Sequence, residues 1–483
     1  MGGVLRWPDK PVVTIAIRLI MMVMAVGCAM GLAALILTLP WHVAHEKDEG
    51  WIAYQVAAAM KGGVVYPMPP SFWFNNYPPL SYYVIGGLGK IVGDEIIAGR
   101  MIAVAAFIAL GSAIAWTART MGCTRLQSSF SALFFMTIQL EDYVYAGRAD
   151  PKILGLAFGM AGFALVIKEP RSRGSLFPGS LLLAMAFFTK HDLIFMPAAL
   201  TIWLTIHDRR NAVRLVLYGA SLAVIGAIAF YLAYHVPVWS LLAAPRGYIA
   251  TDAARQFLGW LESVALPLLA SLALFARFPR DRYVVLCALY LAGSIAVGVY
   301  FTGGEGVDAN VMFDALIALA LCCGVGINRF SQMTRGGPLV ASLIAGGCLL
   351  QLVGILAFRL ATNNIGELSW HVPDAQTVAT NLQDISFLRN QKGPALCKQN
   401  TLCYWAGKPA EVDMFWMGQD VHTGQRDGQD ILRAIRNRRY TVIQLSSDEE
   451  ERSQPFWQFT HETIAAYYRL DHRDLLGSFF VPN

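Results

Sequence analysis

An adjacent pair of acidic residues, Asp48 and Glu49, follows the first long apolar segment of the chain. The pair opens a stretch, 50–60, whose apolar residues recur at helical spacing, so the two carboxylates would be held at a membrane surface. A carboxylate in such a place can accept the proton of an attacking hydroxyl group and thus act as a general base. Acidic residues also stabilise the first turn of a helix, and this purely structural interpretation stays open.

Further charged residues lie in short polar segments later in the chain. They are Arg148 and Asp150, Lys190 and His191, Arg246, and Glu305 and Asp308. The basic ones can stabilise charge on a departing phosphate. Structural alternatives exist, because Asp150 before Pro151 is typical of a helix start, a lysine at headgroup depth also contacts lipid phosphate, and the glycines around Glu305 suit a simple turn.

Tyr77, Pro78 and Pro79 belong to a dense group of aromatic and proline residues between positions 66 and 83. The prolines stiffen the backbone, and aromatic rings favour the headgroup level of a membrane. We predict that this segment binds substrate beside Asp48, although an aromatic belt without a substrate would have the same composition.

The composition indicates which class of protein must position these groups. Of 483 residues, 55% are hydrophobic and only 15% are charged, and the mean hydropathy is +0.46. Ordinary soluble cores cannot bury so much apolar surface, so the chain is predicted to be a polytopic membrane protein. The net charge of +5 comes from basic clusters between apolar runs, which indicates topology signals rather than a nucleic-acid partner.

Hydropathy predicts about eleven transmembrane helices. The first, Val12–Leu39, has no small-residue cleavage pattern after it and should remain as an anchor. The other ten are predicted near Ile96–Trp116, Leu126–Leu140, Pro151–Ile167, Ser175–Phe188, Leu193–Ile206, Val213–Tyr234, Leu261–Ala276, Tyr283–Phe301, Val311–Ile327 and Pro338–Phe358.

Basic clusters recur in alternate loops, which the positive-inside rule assigns to the cytoplasm. They lie at 6–10, 119–125, 168–173, 209–214, 277–282 and 329–335. The other loops contain all the candidate site residues and are predicted to face outward. An odd number of spans places the C-terminus outside as well.

The predicted domains are therefore a transmembrane domain of residues 1–360 and an extracytoplasmic α/β module of residues 361–483. The module should contain a helix near Gly428–Arg438 and a strand near Tyr440–Leu445. Cys397 and Cys403 are predicted to lie close together there, and they could form a disulfide outside the reducing cytosol. The module is expected to act as a lid or an acceptor platform.

Short motifs in the outward segments resemble those of the GT-C superfamily of membrane glycosyltransferases. They are the acidic pair at 48–49 with the G-x-x-x-Y-P that follows it, Y-P-P-L at 77–80, G-R-A-D-P at 147–151, T-K-H-D at 189–192 and G-G-E-G-V-D-A-N at 303–310. The chain is most similar to the bacterial branch that includes relatives of protein O-mannosyltransferases and lipid A aminoarabinose transferases. It departs from that pattern at Ala149, where many relatives have proline.

The resemblance implies an all-α, GT-C-like polytopic fold with interfacial helices in the first outer loop, in a bacterial inner membrane with its site facing the periplasm. It implies a hexosyl- or pentosyltransferase in which Asp48 is the catalytic carboxylate, with Glu49 and Asp150 as further candidates; the other residues singled out above would bind substrate. Because nucleotide sugars are absent outside the cytoplasm, the expected donor is a polyprenyl-phosphate sugar and the acceptor a glycan, lipid or protein of the cell envelope. Inversion follows if Asp48 acts as a base.

No cofactor is expected with certainty. A divalent metal is possible but not indicated, since His42, His45 and Glu46 do not follow the zinc-protease order H-E-x-x-H. The chief alternative function is a transporter or a flippase for lipid-linked sugars, whose site would lie near the membrane midplane. A glycosyltransferase would instead have an outward cavity beneath the first loop. A scaffold module on a membrane anchor would not need so many spans.

Overall fold

The computed structural model describes residues 10–46, 48–68, 71–142, 145–168, 173–242, 246–362, 372–446 and 454–483. The basic clusters predicted at 6–10 and 168–173 therefore lie partly outside the described residues.

Helices dominate the described residues up to position 362. They are α1 (Lys10–Thr38), α2 (Glu49–Lys61), α3 (Leu80–Val92), α4 (Glu95–Thr120), α5 (Arg125–Asp142), α6 (Pro151–Lys168), α7 (Arg173–Thr189), α8 (Phe195–His207), α9 (Arg209–Tyr234), α10 (Ala250–Arg277), α11 (Arg282–Thr302), α12 (Phe313–Ser331) and α13 (Gly337–Ala361). Each predicted span falls on one of these helices. The helix predicted at 50–60 is α2, and α3 follows it in the same outer loop.

Eight helices within the described ranges are long and apolar enough to cross a membrane: α1, α4, α6, α9, α10, α11, α12 with the turn before it, and α13. On α1 the side chains of Met22 and Leu37 are 58% and 63% exposed, as expected where a helix faces lipid. The polytopic helical fold is thus confirmed. The number eleven stays a prediction, because α7 and α8 are short and α5 carries three charged residues in 18.

The centre of the bundle is α12, which contacts α4, α5, α10, α11 and α13. Almost all of its residues are buried, and small side chains such as Ala318, Ala320 and Gly324 allow its neighbours to approach closely. A helix that is apolar on all sides is expected in such a position. Because α12 packs against five other helices, it helps to fix the positions of the loops at one end of the bundle.

The C-terminal region forms a small α/β module. Its elements are α14 (Ala375–Asn390), β1 (Ala395–Cys397), α15 (Asn400–Trp405), α16 (Met414–His422), α17 (Gln429–Arg436), β2 (Val442–Leu445), α18 (Pro455–Tyr467), β3 (Tyr468–Asp474) and β4 (Gly477–Pro482). The sheet order is β1-β2-β4-β3, with β1 and β2 parallel and the other pairs antiparallel. The predicted helix and strand are present as α17 and β2, and Cys397 and Cys403 form a disulfide.

The module packs directly on the segment between α1 and α4. At Gly50 a Cβ atom would lie 2.2 Å from the backbone of Asn400, so α2 can contact the start of α15 only because this residue is glycine. The indole Nε1 of Trp405 donates to Asp94 Oδ2 at 2.9 Å, and Asp413 N donates to Phe72 O at 2.9 Å. These contacts fix the module over α2.

Candidate functional site

The loops that were predicted to face outward meet at one end of the bundle. Tyr145 donates its hydroxyl proton to Asp308 Oδ2 at 2.6 Å, and Tyr248 forms an isolated β-bridge with Gly304. Lys190 Nζ lies 3.4 Å from Asp150 Oδ1. The motif-bearing segments therefore surround one space, although they are far apart in the sequence.

That space consists of two adjoining cavities of about 580 and 330 Å³. Both are lined by Asp48, Asn76, Tyr77, Arg148, Asp150 and Arg246. The larger, which we call the module lobe, is also lined by Lys398, Asn400, Asp413 and Trp416. The smaller, the loop lobe, is also lined by Lys190, His191, Tyr248 and Asp308. Asp48 thus stands where the two lobes join.

Asp48 occupies the N-cap position of α2, but its side chain makes no capping hydrogen bond. The carboxylate therefore does not cap the helix by a hydrogen bond. The side chain is 57% exposed, and its Oδ2 lies 3.3 Å from Arg148 Nη2. A carboxylate with a free oxygen and a cation beside it can accept a proton from a bound hydroxyl group.

Arg148 is buried and lies among three carboxylates. Its guanidinium is 2.9 Å from Glu46, 3.3 Å from Asp48 and 3.7 Å from Asp308, and it lies over the ring of Tyr145 at 4.5 Å. Burial lowers the pKa of Arg148, but Tyr145 and the surrounding carboxylates together outweigh it and raise the pKa well above its usual value. Arg148 is therefore a permanent cation that positions Asp48.

Glu49 differs sharply from its neighbour, because its side chain is completely buried and does not line either lobe. Its carboxylate accepts hydrogen bonds from Arg100 Nε at 2.9 Å and Arg100 Nη2 at 2.6 Å, and from the backbone N–H groups of His45 and Ala149. Burial alone would raise the pKa of Glu49, but Arg100 lowers it to about 2. The structure thus gives Glu49 no path to substrate, which corrects its place beside Asp48 among the catalytic candidates.

Asp150 and Lys190 form a buried pair between the two lobes. Asp150 Oδ1 accepts from Lys152 N at 2.7 Å, so the residue caps α6 as its position before Pro151 suggested. Lys190 Nζ lies 4.7 Å from the centre of the Tyr77 ring. Burial lowers the pKa of Lys190, but Asp150, Tyr77 and Asp192 together outweigh it and the net shift is upward. The side chain is 6% exposed and lines the loop lobe.

Tyr77 lines both lobes, but neither Pro78 nor Pro79 lines them. Pro79 instead precedes the first turn of α3, so the two prolines direct the chain into this helix. His191 lines the loop lobe, and burial lowers the pKa of its imidazole. Tyr77 and His191 thus remain candidates for substrate contact.

Arg246 and Glu305 form part of the cavity rim. Arg246 Nη1 donates to Glu305 O at 3.0 Å, and its guanidinium lies 4.8 Å from the ring of Trp416. Gln419 Nε2 donates to Glu305 Oε2 at 2.6 Å. Gly306 has a φ of 68°, and a Cβ there would lie 2.4 Å from the Phe415 ring. The glycine-rich loop is therefore shaped to receive the module.

Several cavity residues carry no signal in the sequence. Asp413, Trp416 and Lys398 belong to the module and reach the site through its docking. Burial, and to a smaller extent Asp48, raise the pKa of Asp413 to about 7. Arg100, in contrast, lies within a predicted span, and a charge there could have been recognised as unusual.

The histidines near the first span do not gather around one point. His42 Nε2 lies 3.6 Å from Asp94, whereas His45 Nδ1 contacts Gly147 O at 3.1 Å. Glu46, Asp48 and Asp308 all face Arg148. These three carboxylates thus share the guanidinium of Arg148 as their counter-charge.

By sequence, no family model and no curated protein matches the chain. Several solved structures match its fold. ArnT from Cupriavidus metallidurans bound to undecaprenyl phosphate has a TM-score of 0.56 at 13% identity, over 94% of this chain and 97% of that one. The Archaeoglobus fulgidus oligosaccharyltransferase in the apo form has a TM-score of 0.58 at 8% identity, over 96% and 74%.

The same archaeal protein, AglB, in complex with an inhibitory peptide and a dolichol-phosphate has a TM-score of 0.53 at 8% identity, again over 96% of this chain and 74% of that one. At such identities the likeness demonstrates a shared architecture. The prediction of a GT-C-like fold is therefore confirmed.

Proposed function

We propose that this protein is a glycosyltransferase that moves one sugar from a polyprenyl-phosphate donor to an acceptor outside the cytoplasm. The observation that carries the proposal is the exposed carboxylate of Asp48 at the junction of two lobes, with the buried cation of Arg148 beside it. A base there can serve an acceptor in one lobe and a donor in the other. The cavity is lined by loops and helix ends, which favours this function over a transporter with a site at the midplane.

In the proposed reaction, the oxygen of an acceptor hydroxyl attacks the anomeric carbon of the donor sugar. Asp48 accepts the proton of that hydroxyl at the same time. The bond to the donor phosphate breaks at the same time, and the charge developing on that phosphate is stabilised by nearby cations. Attack from the side opposite the leaving group inverts the anomeric centre. We propose either a hexosyl or a pentosyl group for the transferred sugar.

We assign the donor phosphate to the loop lobe and to Arg246 in particular. Arg148 and Lys190 are already paired with carboxylates, whereas no carboxylate in the described ranges lies within ion-pair distance of Arg246. The ArnT structure with undecaprenyl phosphate and the AglB structure with dolichol-phosphate support a lipid-linked phosphate as the ligand class. Burial lowers the pKa of Arg246, so a phosphate there would supply a missing counter-charge.

The direct test is transfer by the purified protein from a panel of polyprenyl-phosphate sugars. Radiolabelled donors would be incubated with cell-envelope fractions, and release of polyprenyl phosphate would be measured together with labelled product. The proposal is supported if the wild type turns over at least one donor and the Asp48→Asn variant does not. Facilitated movement of the lipid across vesicles without cleavage of the sugar would instead identify a flippase.

Arg246→Gln should weaken donor binding by about 10- to 100-fold, because hydrogen bonds to charged groups contribute about 1.5–3 kcal/mol each. The measurement is the Kd for polyprenyl phosphate, with turnover at saturating donor as a second readout. Arg255→Gln is the matched control, since Arg255 is an exposed arginine that pairs with Asp252 on α10. Equal donor affinity in the two variants would remove Arg246 from the phosphate site.

The module lobe is the proposed acceptor site, with the C-terminal module as its lid. Asp413→Asn should raise the acceptor KM by roughly tenfold, which corresponds to loss of one hydrogen bond, and leave donor Kd unchanged. Asparagine can still cap α16, where Asp413 Oδ1 accepts from Trp416 N. Asp430→Asn, at an exposed carboxylate of the same module, is the control. A change in donor Kd alone would reverse the assignment of the two lobes.

We further propose a bacterial inner-membrane location with the cavity and the module facing the periplasm, and a division at residues 1–360 and 361–483. Thr251→Cys should react with a membrane-impermeant maleimide in intact cells, whereas Arg210→Cys should react only after permeabilisation. Both positions are exposed, the free cysteines of the described chain are all buried, and background labelling should therefore be low. Labelling of Arg210→Cys from outside would overturn the orientation.

A further inference from the structure

The far edge of the module contains a group of side chains that the proposed reaction does not use. His472 and Asp474 lie on β3, the strand at the edge of the sheet opposite β1. Residues two apart in a strand point to the same face, and Asp384 of α14 faces them. None of the three lines either lobe of the cavity.

The donor atoms of this group already have the spacing of metal ligands. His472 Nε2 lies 3.4 Å from Asp384 Oδ1 and 3.8 Å from Asp474 Oδ2, and one donor atom from each residue lies within 4.8 Å of the others. Tetrahedral zinc has ligand bonds of about 2.0–2.2 Å, which separates its ligands by roughly 3.3–3.6 Å. Small side-chain rotations would complete such a geometry.

The imidazole is held in the orientation that a metal ligand needs. Asp471 Oδ2 lies 2.9 Å from His472 Nδ1. When Nδ1 of the neutral ring donates to this carboxylate, the lone pair of Nε2 faces Asp384 and Asp474. The ring also stacks on Phe479 with centroids 4.4 Å apart. A carboxylate behind a histidine is the usual outer partner of a metal-bound imidazole.

The charge of the group is not balanced by basic side chains. No lysine or arginine in the part of the chain that the structure describes forms an ion pair with Asp384, Asp471 or Asp474. The Asp384 side chain is 96% buried, and its Oδ2 has no hydrogen-bond partner.

We propose that Asp384, His472 and Asp474 bind a divalent transition-metal ion of the Zn²⁺ class, with water in the remaining position. A set of one imidazole and two carboxylates suits Zn²⁺ better than Ca²⁺ or Mg²⁺, which prefer oxygen ligands alone. The ion would join α14, the first helix of the module, to the β-hairpin at its end. Its role is therefore structural and separate from sugar transfer.

The test uses the purified full-length protein, stripped with a chelator and then dialysed against Zn²⁺. The wild type should retain about one equivalent of zinc by elemental analysis and show a higher Tm with Zn²⁺ than without it. His472→Ala should retain none, and Asp471→Asn, at an exposed carboxylate outside the ligand set, should bind zinc roughly 10- to 100-fold more weakly.

His461→Ala is the matched control, because His461 of the same module contacts the backbone of its own helix through Nδ1 and stacks on Trp457, away from the proposed ligands, and this variant should bind zinc like the wild type. Asp471→Asn keeps the test decisive if His472→Ala does not fold. The proposal would be overturned if the wild type retained no more zinc than Asp471→Asn and if Zn²⁺ did not change the Tm of the wild type.

Discussion

Asp48→Asn should abolish sugar transfer while leaving donor affinity nearly unchanged. Removal of a positioned general base lowers the rate by roughly 10²–10⁴-fold, whereas the groups assigned to the phosphate, such as Arg246, are untouched. Asparagine has nearly the same shape and can still accept from Arg148, which lies 3.3 Å from the carboxylate. The measurements are single-turnover rates at saturating donor and, separately, the Kd for polyprenyl phosphate.

Asp252→Asn is the control, because Asp252 also lines the module lobe but pairs with the exposed Arg255. It should retain most of the transfer rate. Near-normal transfer by Asp48→Asn together with loss in Asp150→Asn would move the base to Asp150. If neither substitution slowed transfer, the proposed function itself would be wrong.

Glu49→Gln should destabilise the protein strongly, for a reason unrelated to proton transfer. Its carboxylate is the counter-charge of Arg100, and both side chains are fully buried. Removing one partner of a buried ion pair costs about 3–5 kcal/mol, because the other charge is left uncompensated. The expected results are a lower Tm in detergent and a lower yield of folded protein.

The double variant Glu49→Gln with Arg100→Gln should recover part of this loss, since neither charge is then left alone. The pKa of Glu49 is lowered to about 2, so the pair should stabilise the protein above the ordinary pKa of glutamate and lose this effect only as the pH falls towards 2. A Glu49→Gln protein with the wild-type Tm but no transfer would return Glu49 to the catalytic group.

The contrast between Asp48 and Glu49 marks the limit of prediction from the sequence. Hydropathy located the acidic pair at the end of a span. The motifs located Arg148 and Lys190, and the predicted topology located Arg246, in segments on the same side. Which carboxylate faces the cavity depends on the rotation of α2 and on Arg100, which is 51 positions away. The pairing of Glu49 with Arg100 results from packing between helices. The residues next to Glu49 in the sequence carry no information on it.

Lys190 and Asp413 illustrate two other limits. A tight loop predicted that Lys190 would lie at headgroup depth, but its burial against Tyr77 arises from how α3 packs near α7. Asp413 reaches the cavity only because α15 packs on α2 and the module is thereby fixed. The spans, by comparison, were predictable, since each depends mainly on its own composition.

The disulfide between Cys397 and Cys403 connects the shape of the cavity with the compartment in which the module folds. The two cysteines enclose Lys398 and Asn400, which form part of the cavity wall. Because disulfides form in oxidising compartments, we expect this wall to reach its final shape only after export of the C-terminal segment. On the proposed orientation, a newly synthesised chain would stay immature until its last segment had crossed the membrane, so that maturation would follow correct insertion.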